Sequence, residues 1–111
     1  MCLIAIGWQA HRTLPLVIVA NRDEFYQREA QAMNFWQDQP NILAGRDVQA
    51  GGTWLGVNRK GRFAALTNVR EAAAPVTATS RGSLIGMWLN NRTTRSDLIH
   101  SLADSAASYS G

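Results

Sequence analysis

The chain has 111 residues, 46% apolar and 17% charged, and a formal charge of +3. That length allows one small domain and not two, and the composition suits a folded core, not a disordered chain. The longest apolar run, residues 14–20, is far short of the roughly 20 residues a membrane span needs.

No positive charge precedes the apolar start at Leu3, as a secretory signal requires, so a cytoplasmic protein is expected. The cations are ten Arg and one Lys, scattered from Arg12 to Arg95. Their only cluster, Arg59, Lys60 and Arg62, is too sparse for a nucleic-acid surface and reads as the solvated tip of a hairpin. A single cysteine, Cys2, excludes an internal disulfide and a thiolate zinc cluster. His11 and His100 lie near opposite ends of the chain without ligand spacing, and no metal or cofactor is expected.

Residues 2–8, CLIAIGW, read as a strand that is apolar on both faces. LPLVIVA, residues 14–20, is β-branched and equally apolar. Such segments belong inside a sheet covered on both sides. The short connection between them predicts an antiparallel hairpin, with Pro15 at the start of its strand because it cannot donate a ladder hydrogen bond. A polar packet follows at 21–24, Asn-Arg-Asp-Glu. Asn21 with Glu24 three residues on has the form of a capping box, so residues 24–33 are expected as a short helix or an ordered loop. NILAGRD is a brief strand. GGTWLGV and RFAALTN form a second hairpin, turned at residues 58–61, where Gly61 supplies a positive φ. Residues 71–79 are a loop around Pro75. Two helices close the pattern. One spans about 83–90, entered through Ser80 as N-cap, and one about 96–107, with Leu98, Leu102 and Ala106 on a buried face. Strands followed by helices make an α+β chain. Two modest helices cover only one face of a doubly apolar sheet, so the chain is expected to be part of a larger fold.

Cys2 carries the most chemical information. Removal of Met1 gives one residue both a thiol and a free α-amine, whose ordinary pKa values are near ~8.5 and about 7.7–8.0. The amine can then take the thiol's proton, and the residue is a self-contained nucleophile and base. With Met1 attached, that amine is locked in a peptide bond. The competing role for Cys2 is a small buried hydrophobe opening a strand. In an antiparallel pair the end of the second strand lies beside the start of the first, which brings residues 20–23 near Cys2. There Arg22 would favour the thiolate, and Asp23 would hold the α-amine. Asn68, at the end of RFAALTN, is either a turn residue or a side-chain amide for an oxyanion. Gly51 and Gly52 make a tight turn that also lets a substrate approach the backbone. Trp8, Trp36, Trp54 and Trp88 read as core or cleft-wall residues. Asn21, Gly52 and Trp54 are taken as substrate-binding candidates.

The initial MC together with ANRDEFYQR, GGTWLGVNRKGRFAALTN and SRGSL, in that order, resembles the NRDE family, also called the transport and Golgi organisation 2 family. The resemblance runs from residue 1 to about residue 84, and it implies that this chain is the N-terminal part of a longer domain. It further implies an Ntn-hydrolase-like fold, a four-layer α-β-β-α sandwich, similar to that of choloylglycine hydrolases and penicillin V acylases, which cleave non-peptide C–N amide bonds. Carried over, the nucleophile falls on Cys2 and the oxyanion amide on Asn68. The activating Arg and Asp fall within 21–24. The acylases separate that Arg from its Asp by two residues, whereas Arg22 and Asp23 are adjacent, so either Arg22 takes the Arg role with Asp23 or Glu24 as the acid, or the site differs from theirs. A rival expectation is a non-catalytic carrier or chaperone for haem or an acyl lipid, linked to secretory organisation. The partners expected are a small-molecule substrate or hydrophobic ligand, and the missing C-terminal half or a second copy of the chain.

Overall fold

Residues 2–68, 79–105 and 108–109 are described by a computed structural model. The two apolar runs pair as expected. β1 (Leu3–Trp8) and β2 (Leu16–Asn21) are antiparallel, in register from Leu3 opposite Asn21 to Trp8 opposite Leu16. Pro15 precedes the second strand, and its carbonyl accepts the Gln9 N–H at 2.8 Å, closing the connection. The expectation of burial on both faces is not met. Leu3, Ile6, Trp8 and Val19 are each more than 60% exposed, because the hairpin forms a two-stranded sheet of its own.

No helix follows Asn21. The chain turns at residues 26–28 and enters β3 (Ala30–Phe35), which pairs antiparallel with β4 (Ile42–Asp47). The capping-box expectation is therefore wrong. The Asn21 carboxamide oxygen instead accepts the backbone N–H of Leu3 at 2.9 Å, and Glu24 accepts from Phe25 at 3.1 Å. β4 continues into β5 (Leu55–Asn58) and β6 (Phe63–Ala65), completing a four-stranded antiparallel meander in the order β3-β4-β5-β6.

The expected second hairpin is β5–β6, and buried Asn58 organises its turn. Its Oδ1 accepts the N–H groups of Lys60 (3.0 Å) and Arg62 (2.8 Å), while its Nδ2 donates to the Leu89 carbonyl at 2.7 Å. Gly61 takes φ +80°, the left-handed conformation this turn needs. The cationic cluster at this tip is only partly free. Arg59 lies over the Phe35 ring and Arg62 over Trp88.

Two helices follow, α1 (Gly82–Leu89) and α2 (Arg95–Ser105). α1 is the core helix. Its Ile85 and Leu89 meet Trp36, Ile42 and Ala44 from the sheet, and this small cluster is the main apolar burial among the described residues. Ser80 lies just ahead of the helix and accepts the Gly82 N–H at 3.3 Å, but the cap position itself is Arg81. α2 buries no residue; Leu98 and Leu102 are half-buried, and Ala106 lies outside the described residues, as does the expected loop at 71–78. The whole is α+β with antiparallel sheets, and no described helix is long and apolar enough to cross a membrane.

Candidate functional site

β2 ends at Asn21, and the next residues carry the polar packet to the corner where β1 begins. Cys2 sits in that corner, half-buried. Its Sγ accepts the backbone N–H of Asp23 at 3.4 Å and lies 4.0 Å from the Asp23 carbonyl oxygen. The antiparallel register thus brings Cys2 to Asp23, as strand pairing requires, and Sγ meets the Asp23 backbone.

The guanidinium of Arg22 goes elsewhere. It donates from Nη2 to Oδ2 of Asp47 at 2.9 Å, lies 3.7 Å from Glu24, and stacks 4.3 Å from the centroid of the Trp54 ring. Arg28 reaches the same Asp47 oxygen from Nε at 2.6 Å. The other oxygen of Asp47 accepts the N–H groups of Gln49 (3.0 Å) and Ala50 (2.8 Å). One buried carboxylate therefore closes the turn after β4 and clamps two arginines from the segment after β2. Burial alone would push its carboxyl up. The Ala50 N–H and the charges of Arg28 and Arg22 outweigh burial, and the group is held below its usual range.

Asp47 is the functional-region residue that the sequence did not disclose. It ends a strand in AGRD, a position that reads as an ordinary turn residue, and its arginine partners are 25 and 19 positions away.

Beside this clamp opens a cleft lined by Arg22, Glu24, Arg28 and Asp47 on one side and by Trp54, Leu66 and Asn68 on another. The Ser80–Gly82 entry to α1 forms the remaining wall. Gly52 lies in the wall as well, but the reason for its being glycine is packing. A Cβ at this position would sit 2.6 Å from the Gly82 backbone carbon, a distance no side chain tolerates. The Thr53 N–H donates to the Gly82 carbonyl at 3.3 Å across the same contact. Asn68 Oδ1 accepts from Nη2 of Arg81 at 3.2 Å.

Of the residues expected at the site, Arg22, Asn68, Gly52 and Trp54 line this cleft. Cys2, Asp23 and Asn21 stand at the strand corner that adjoins it through Arg22 and Glu24. The tryptophans do not converge. Trp36 is in the core, Trp88 packs against it, Trp54 lies in the charged cleft, and Trp8 is exposed. Among the described residues no group of three or more His, Cys, Asp or Glu has metal-binding geometry.

Comparison with known proteins finds a family model, transport and Golgi organisation 2, matching residues 1–111. The transport and Golgi organization protein 2 homolog of Bos taurus is 42% identical over 79 residues, covering 68% of this chain and 29% of that protein. The Homo sapiens homolog is 42% identical over 77 residues, covering 67% and 28% respectively. Transport and Golgi organization protein 2 of Drosophila melanogaster is 30% identical over 93 residues, covering 78% and 31%. The chain thus spans less than a third of the length of these relatives.

Proposed function

The chain belongs to the transport and Golgi organisation 2 family, and we propose that it supplies the nucleophile end of an N-terminal-cysteine hydrolase acting on a non-peptide C–N amide bond. The wider fold in this reading is the Ntn-hydrolase-like four-layer sandwich. The observation that carries the reading is Cys2, at the one position where Met1 removal frees its amine, with its Sγ 3.4 Å from the Asp23 N–H and a charged cleft opening from the next residues.

The steps follow from the groups present. The α-amine of Cys2 takes the thiol proton, and Sγ bonds to the amide carbonyl carbon. The carbonyl electrons move to oxygen, which Asn68 Nδ2 and a backbone N–H hold. The C–N bond then breaks, the departing amine receives the proton from the α-ammonium, and a thioester remains on Cys2. Water attacks the thioester, which restores the thiol and releases the acid. The Asp23 backbone N–H holds Sγ, Arg22 presents its charge to the cleft from the Asp47 clamp, and Asn21, Gly52 and Trp54 shape the substrate's bed.

The test is intact mass of the full-length protein after exposure to a β-lactam, with the N-terminus read in parallel. We expect Cys2 as first residue, an acyl adduct of the probe's mass, and no adduct on Cys2→Ala. A protein that begins at Cys2 and takes no adduct overturns the reading.

A second reading, a carrier for a hydrophobic metabolite such as haem or an acyl lipid, is favoured by one observation, the exposed apolar side chains of β1 and β2. It calls for a haem absorbance band on titration with no turnover. The polar, arginine-lined character of the cleft supports the hydrolase over the carrier.

A further inference from the structure

The segment SRGSL contains an arginine whose role the hydrolase scheme does not use. Arg81 is the residue from which α1 starts; its carbonyl accepts the Leu84 N–H at 3.0 Å. The position of that start is fixed from both ends. Ile85 and Leu89 root the helix in the core, and Gly82 lies against Gly52 so closely that neither side can move inward. Arg81 is therefore carried on a rigid element to the rim of the cleft. There its guanidinium donates to Oδ1 of Asn68 at 3.2 Å. It pairs with no carboxylate among the described residues.

A guanidinium has only donors to offer, so the amide edge facing it must be the oxygen. That settles the rotation of a side chain that is otherwise exposed on the rim. With Oδ1 held, Nδ2 is turned away from Arg81, and the positive charge on the oxygen side draws electrons from the amide and makes its N–H groups better donors. An oxyanion donor needs this arrangement, since an amide presenting its oxygen to the substrate would repel the developing negative charge.

We propose that Arg81 is a positioning residue that locks the Asn68 amide with its NH2 toward the reacting carbonyl. The inference rests on the hydrolase reading and deepens it, and the experiment separates the two. Full-length protein beginning at Cys2 is treated with p-nitrophenyl acetate and, separately, with iodoacetamide. In the first reaction Sγ bonds to the carbonyl carbon, a tetrahedral oxyanion forms, and nitrophenolate leaves with the C–O electron pair; the thiol proton goes to the α-amine. In the second, Sγ displaces iodide from carbon and no oxyanion arises.

Arg81→Met is expected to slow acylation about 10-fold, less than the hundredfold or more that loss of a whole oxyanion donor costs. Alkylation of Cys2 should be unchanged, Arg81→Lys should recover part of the loss, and Asn68→Ala should be no slower when combined with Arg81→Met. Acylation at the wild-type rate in Arg81→Met overturns the inference alone, as does a parallel fall of acylation and alkylation. Wild-type protein that is alkylated but never acylated overturns the hydrolase reading and the inference with it.

Discussion

Asp47 shows how much a single carboxylate can organise. Its side chain is only 9% exposed and meets two guanidinium groups and two backbone N–H groups. Removing it leaves Arg22, itself 17% exposed, with only the more distant Glu24 carboxylate at 3.7 Å, and opens the turn at once. Asp47→Ala is expected to cost about 3 kcal/mol, the low end for breaking a buried ion pair because Arg28 keeps contact with water. Urea unfolding of the full-length protein measures it, and Asp47→Asn, which retains an acceptor for the turn, should cost less. The sign of the pH effect follows from the lowered carboxyl. A folded-state pKa below the unfolded value of about 3.9 stabilises the fold above that pH, and the contribution disappears as pH falls through the folded value. Unfolding free energy should therefore drop on the acid side of about pH 4, and the drop should be shallower in Asp47→Asn. A wild-type and Asn variant with the same acid limb would remove Asp47 from the site's electrostatics.

At the scale of elements, what was legible in the sequence was whatever is decided locally. The β5–β6 hairpin follows from Asn58 and Gly61 within one turn, and the β1–β2 hairpin from two β-branched runs and a short connection. β3 was not legible. Its residues, AQAMNF, include no β-branched side chain, and Ala, Gln and Met favour helix. Only pairing with β4, a contact made after the chain reverses, draws them into a strand. The same holds for the site. Proximity of Cys2 to Asp23 is a consequence of strand register, readable from the pattern, while the Arg22–Asp47–Arg28 clamp joins segments far apart in sequence. The contact between α1 and the turn before β5 is of this non-local kind too, and it is testable. Gly52→Ala places a methyl against the Gly82 backbone at 2.6 Å, and backbone cannot rotate aside. We expect about 1–3 kcal/mol of destabilisation from overpacking, with the entry to α1 displaced from the cleft. Thermal unfolding followed by tryptophan fluorescence reads the first, and wild-type stability in Gly52→Ala would show that the helix entry is not fixed there.

At the scale of the molecule, the two sheets differ in how they are supported. The four-stranded meander has α1 packed on β5 and β6 and a shared core. The β1–β2 hairpin has no such layer among the described residues, and it exposes large apolar side chains on both faces: Leu3, Val17 and Val19 on one, Ile6, Trp8 and Leu16 on the other. A two-stranded hairpin is marginal in water by itself, and contiguous exposed apolar surface of this kind drives association. The fold therefore stores its least satisfied surface in the element that bears Cys2 at its head. If the 111-residue chain is prepared alone, this surface should report itself. We expect strong enhancement of anilinonaphthalene sulfonate fluorescence and a sedimentation coefficient that rises with protein concentration. Lysine at Val17 and Val19, which share one face, should reduce both, since like charges on an exposed strand oppose edge and face pairing. The core residues Ile42 and Leu89 are untouched by that change, so secondary structure by circular dichroism should hold. A chain that binds no dye and sediments as a monomer at every concentration would mean that the hairpin's apolar faces are covered from within.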